Sequence, residues 1–139
     1  MNTPAHFHAY RWQGERRTLD READRRPASP AFAGNPCTPM TICHWLLRPA
    51  RAIAHTFHNA EEATDWFCHE LRRAAPDFAA DQERQPERLD AKADYIERTL
   101  ALGGDTHAGW YLRGTAFLTL DIIGCTANRT DPALPCPLR

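Results

Sequence analysis

The feature that most constrains what this chain can fold into is the stretch 109–123, GWYLRGTAFLTLDII. Its alternate positions Ala116, Leu118, Leu120 and Ile122 are all apolar, and side chains two apart on a strand share one face. The intervening Phe117, Thr119, Asp121 and Ile123 are mixed, with one acid in the middle. One clean apolar face and one mixed face describe a strand of an antiparallel sheet that is covered on one side. Upstream, Trp110-Tyr111-Leu112 is aromatic and strand-prone. Arg113-Gly114 then reads as a two-residue hairpin turn, with Gly114 supplying the positive φ.

A sheet with one apolar face needs a cover, and two helical patterns supply it. Asn59 with Glu62 three positions later resembles a capping box. Behind it Ala60, Ala63, Phe67, Leu71 and Ala74 recur at helical spacing up to Pro76. Pro86 opens a second helix with Leu89, Ala93, Ile96 and Leu100 as its stripe and Gly103-Gly104 as its stop. The expected helices are 60–75 and 86–102.

The remaining strands are less sharply written. Residues 6–12 alternate His6, His8, Tyr10 and Trp12 against Phe7, Ala9 and Arg11, which reads as a peripheral strand with one wet face. Residues 40–47 and 50–57 read as two strands joined through Pro49. Between the first strand and these lies a loop at about 13–39 containing Pro27, Pro30, Pro36 and Pro39, which rules out helix or central strand there and reads as a mobile surface excursion. A Pro-rich tail occupies about 125–139. The expectation is one compact α+β domain over 1–139: an antiparallel sheet of four to five strands with two amphipathic helices on one face.

Charge and cysteine content bound the function classes. The chain of 139 residues carries a formal net charge of −1, without the basic excess of a dedicated nucleic-acid binder, so nucleic acid is not an expected partner. No apolar run reaches membrane-spanning length, and the first residues lack a basic segment followed by an apolar one. An odd count of 5 cysteines suits a reducing compartment, and the expected localisation is cytoplasmic.

Five candidate constellations carry chemistry. First, His6-x-His8 on a strand aims two imidazoles the same way, and Asp121 can add a carboxylate, giving a two-His-one-carboxylate metal set. No cofactor signature is evident otherwise; zinc or another divalent cation is the metal such a set implies. Second, Cys37, Cys43, Cys125 and Cys136 are candidates for a four-thiolate zinc site, although their spacing is not that of a zinc knuckle; Cys37 and Cys136, beside prolines, read as exposed thiols. Third, Cys43-His44 and Cys68-His69 are adjacent pairs, but neighbours diverge on either a strand or a helix, so neither forms a nucleophile–base arrangement. Fourth, residues 1–58 carry eight arginines against four acids while residues 59–139 carry nine bases against fourteen acids, a bipolar charge that suits an anionic ligand or a basic partner. Fifth, the aromatic surplus at Tyr10, Trp12, Trp110 and neighbours exceeds what two helical stripes bury.

The functional expectation is a small binding or regulatory protein that engages a small ligand or protein partner through an open sheet face, using Tyr10, Trp12, Trp110, Phe117, Thr119 and Asp121; the same face suits a homodimer. The alternative is a small metal-dependent or thiol enzyme using His6, His8, Asp121 or the cysteines.

Overall fold

A computed structural model describes residues 3–138. Four strands, β1 (His6–Glu15), β2 (His55–Phe57), β3 (Thr106–Tyr111) and β4 (Ala116–Cys125), form one antiparallel sheet in the order β2-β1-β4-β3. A single helical turn α1 (Arg16–Leu19) follows β1, and the two long helices α2 (Ala60–Ala74) and α3 (Pro86–Ala101) separate β2 from β3. The fold is therefore α+β, with a sheet covered by helices.

The helices form where the sequence signals them. The Asn59 side chain accepts the backbone N–H of Glu62 at 2.8 Å, satisfying one of the orphan donors at the start of α2. Pro86 stands in the first turn of α3, where a missing N–H costs nothing. Gly103 closes α3 at φ +81°, its N–H returning to Leu100 O at 2.9 Å. Ala63, Phe67 and Leu71 of α2 and Ile96 and Leu100 of α3 pack on Phe7, Ala9, Leu118, Leu120 and Ile122 of the sheet. Burying side chains such as Phe67 and Leu71 contributes about 1.5–3 kcal/mol each.

The hairpin turn is wider than two residues. Leu112 N–H donates to Ala116 O at 3.0 Å, enclosing Arg113, Gly114 and Thr115, with Gly114 at φ +79°. Gly114 takes the left-handed conformation in the middle of this three-residue loop, and Arg113 N–H is anchored outside the hairpin, donating to Asp77 O at 2.9 Å.

β1 is central, not peripheral: it pairs β2 on one side and β4 on the other. Phe7 and Ala9 face the helices, while His8, Tyr10 and Trp12 are buried on the opposite side. The segment 40–52 is not strand. Ile42–Leu47 and Ala50–Ala52 are 3₁₀ turns held by local bonds such as His44 N–H to Thr41 O and Arg48 N–H to Trp45 O, each 3.0 Å. An apolar run bounded by prolines has the composition of a buried strand and of a buried 3₁₀ strap alike, and here it packs across the second sheet face instead of pairing with a strand.

That strap changes the second sheet face. Cys43, Trp45 and Leu46 from the strap, with Leu134 and Cys136 from the tail, build a second core over Tyr10, Ile123 and Cys125. Residues 26–39 reach the same layer, with Phe32, Cys37 and Thr38 buried. They are tied down by Arg25, whose Nε and Nη1 donate to Thr38 O and Leu19 O at 2.8 and 2.6 Å. The tail is pinned by Asn128, which donates to Asp105 Oδ1 at 3.0 Å and to Gly124 O at 2.8 Å. The face away from the helices is thus covered over most of its area, and the expected open face and mobile loop are replaced by a folded cover.

Among the described residues no helix is long and apolar enough to cross a membrane.

Candidate metal centre

Alternation along β1 puts the His6 and His8 side chains on one face, and the antiparallel register sets His6 opposite Cys125 and His8 opposite Ile123. Cys125 is the last residue of β4 and continues the Phe117–Thr119–Asp121–Ile123 side. The tail then folds back and brings Cys136 over the same corner. One donor atom from each of His6, His8, Cys125 and Cys136 lies within 4.8 Å of the other three.

The spacings are those of tetrahedral ligands. His6 Nε2 and His8 Nε2 are 3.2 Å apart, and Cys136 Sγ lies 3.5 Å from the first and 3.6 Å from the second. For zinc, bond lengths near 2.05 Å to nitrogen and 2.3 Å to sulfur at a tetrahedral angle require about 3.3 Å between nitrogens and about 3.6 Å between nitrogen and sulfur. These three donors already stand at the separations a tetrahedral ion requires, and Cys125 Sγ joins them within 4.8 Å.

The environment suits ligation as well. His8 is fully buried, and burial, reinforced by the neighbouring His6, lowers its pKa to about 4. Its imidazole is neutral at pH 7, as a ligand must be. Its Nδ1 lies 2.8 Å from Thr56 Oγ1 on β2, a bond that orients the ring and directs the Nε2 lone pair into the cluster. Cys125 and Cys136 are buried and carry thiols. His6 is the most accessible of the four, half-buried at the rim.

Two of the residues expected to bind metal are in the cluster and one is not. Asp121 stands four residues before Cys125 on β4 and spends its carboxylate elsewhere. It is 0% exposed, and Oδ2 accepts the Thr38 hydroxyl at 2.5 Å and the Trp45 indole N–H at 2.8 Å, while Oδ1 meets His107 Nδ1 at 2.5 Å. The four-thiolate grouping also separates. Cys37 lies beneath Arg48, whose Nη1 donates to the Cys37 carbonyl at 2.7 Å, and Cys43 packs in the second core. Burial raises the pKa of both thiols and of Cys68, which leaves them as small apolar side chains. Cys37 and Cys136, expected at the surface, are 0% and 6% exposed.

The aromatic set divides in the same way. Tyr10 is sealed under Trp45, stacked at 4.4 Å between centroids, and Trp12 and Thr119 are buried beside it. Trp110 faces the helices and stacks on Phe78 at 4.8 Å. Phe117 is half-buried and meets Tyr111 edge-on at 5.0 Å. Trp110, Tyr111 and Phe117, with Ala79, Ala80, Glu83 and Gly109, line a groove of about 600 Å³ along β3.

His107 and Thr56 did not stand out in the sequence, and no local pattern marks either. Cys125 did carry a signal, since it extends the mixed face of β4 by one more alternate position.

No family model matches this chain, and neither the curated proteins nor the solved structures contain a match.

Proposed function

We propose that this protein binds one zinc-class divalent cation through His6, His8, Cys125 and Cys136, and that the ion serves as a structural staple. The observation that carries the reading is the set of donor spacings, 3.2 Å between the two nitrogens and 3.5 and 3.6 Å from Cys136 sulfur to them. Soft thiolates with imidazoles in a tetrahedral set favour zinc over magnesium or calcium. Four protein ligands leave no position for water, which is the pattern of structural sites; catalytic sites keep one open. The ion joins the start of β1, the end of β4 and the tail, so it holds the cover on the second sheet face. A cytosol that keeps thiols reduced is the setting this reading calls for. The protein is then a small binding or accessory protein with a metal-fastened fold, not a metalloenzyme.

Cobalt substitution tests the geometry. Co(II) in a tetrahedral two-sulfur, two-nitrogen site gives intense visible d–d bands and sulfur-to-metal charge transfer. One equivalent saturating those bands supports the reading, and only the weak spectrum of octahedral Co(II) contradicts it.

A second reading concerns the groove along β3. Its three aromatic rings and its volume of about 600 Å³ fall in the range of small-ligand sites, and it retains Trp110 and Phe117 from the expected binding set. An apolar aromatic ligand is the class that fits. Quenching or shifting of tryptophan fluorescence by such a compound, lost in Phe117→Ala, tests it; an unchanged spectrum across a panel of aromatic compounds removes it.

A further inference from the structure

The Asp121 constellation belongs neither to the metal cluster nor to the helical core, and it leaves one reactive atom at the surface. We propose that His107 is a nucleophilic histidine whose Nε2 accepts a phosphoryl group from a small phosphoryl donor.

The geometry is that of an imidazole oriented by a buried carboxylate. His107 and Asp121 are directly paired across β3 and β4, and Nδ1 meets Oδ1 at 2.5 Å. The carboxylate cannot turn away, because Thr38 and Trp45 hold its other oxygen. Nδ1 therefore keeps its proton, and the lone pair of the neutral ring is confined to Nε2. The side chain of His107 is 45% exposed while that of Asp121 is 0% exposed, so the base is accessible and its orienting group is not. A nucleophile or base held by a third group is the arrangement that activates such side chains.

The flanking charge selects the electrophile. Besides Asp121 on β4, the charged groups acting on His107 are Arg25, ahead of the strap, and Lys92 on α3. Two cations whose field reaches an exposed imidazole favour the approach of an oxyanion such as a phosphoryl group over a neutral acyl donor.

The step balances without a redox partner. The Nε2 lone pair attacks phosphorus, and the bond from phosphorus to its leaving group breaks. With phosphoramidate, ammonia departs. The ring becomes cationic as the N–P bond forms, and the buried Asp121 carboxylate offsets that charge through the Nδ1–H bond it already makes.

Phosphoramidate is the probe. Incubated with the metal-loaded full chain at pH 8, it should produce one acid-labile phosphohistidine, seen by ³¹P NMR and mapped by mass spectrometry to His107. Labelling of His107 should exceed that of the exposed His55, His58 and His69 on the order of tenfold. The mark should be absent in His107→Gln. It should be several-fold slower in Lys92→Ala, which keeps the nucleophile and removes a flanking charge. Equal labelling of all exposed histidines, or no labelling, overturns the proposal. So does reaction of His107 with diethyl pyrocarbonate alone, since that marks a general acyl acceptor.

Discussion

His6 and Cys125 face each other across the β1–β4 ladder, at the one corner of the sheet where the returning tail adds Cys136. Each of these three residues has a different neighbourhood in sequence. Only the antiparallel register and the fold of the tail bring them together, and with His8 they form a four-donor cluster that could hold a metal ion.

Metal removal should loosen the cover before the core. The helix-facing core of Phe67, Leu71, Leu118 and Leu120 lies away from the proposed metal site, whereas Leu134 and the candidate ligand Cys136 sit in the second core. Chelation should therefore leave far-UV circular dichroism largely intact while protease cleavage within 126–138 accelerates. Restoring zinc at a thousandfold excess over Kd should return about 4 kcal/mol of stability.

The ligands and their support should separate by size of effect. His8→Ala and Cys136→Ser remove donor atoms and should abolish stoichiometric binding. Thr56→Ala removes only the partner of His8 Nδ1, and should lower metal affinity about 10- to 100-fold. Competition against a chromophoric chelator reads all three.

Tyr10→Phe should behave unlike an ordinary core truncation. The Tyr10 ring is stacked and buried, but its hydroxyl has no hydrogen-bond partner among the described residues. Deleting a buried hydroxyl that bonds to nothing is neutral or stabilising, by up to about 1–3 kcal/mol. Urea denaturation should show a midpoint at or above that of the wild type.

Phe67→Ala should cost about 3–5 kcal/mol, because a fully buried aromatic ring leaves a cavity. The loss should be the same with and without metal, since Phe67 and the cluster lie on opposite sides of the sheet. Paired denaturation curves check this additivity.

His107 should give the fold a pH dependence of known sign. Its pKa is raised by the hydrogen bond to Asp121, opposed by desolvation and by Arg25 and Lys92. The folded value lies above that of the unfolded chain, about 6.5. The contribution is then complete below that pH and disappears as pH rises through the raised folded value. The difference in melting temperature between wild type and His107→Gln should shrink as the solution is made alkaline. NMR titration should place the His107 midpoint above about 6.5, the value of an unperturbed imidazole.

The parts of this structure legible in sequence are those where one periodicity dominates. Leu118, Leu120 and Ile122 alternate cleanly, and Ala63, Phe67 and Leu71 recur at helical spacing, so sheet, helices and their contact follow from local patterns. The strap at 40–52 was misleading because Ile42, Trp45 and Leu46 are as apolar as a buried strand, and composition alone does not separate pairing within a sheet from packing across its face. β1 read as peripheral because its histidines and tyrosine look wet. They are buried by the strap, the tail and the metal cluster, none of which is adjacent in sequence. The spacing of His6 and His8 put both side chains on one face of β1, where they join a cluster that could hold a metal ion. Cys136 entered only as one of four thiolates and never beside the histidines, because its place depends on a tail turned by Asn128 and Asp105. Asp121 seemed the natural third ligand, yet its three donors arrive from Thr38, Trp45 and His107 on three separate segments.

The most direct test of the metal centre is elemental analysis of protein expressed in zinc-supplemented medium and purified without chelator. The proposed site predicts one equivalent of zinc per chain, falling to trace in the double variant His8→Ala/Cys136→Ser. Trace metal in the wild type, with an unchanged melting temperature after zinc addition, would contradict it.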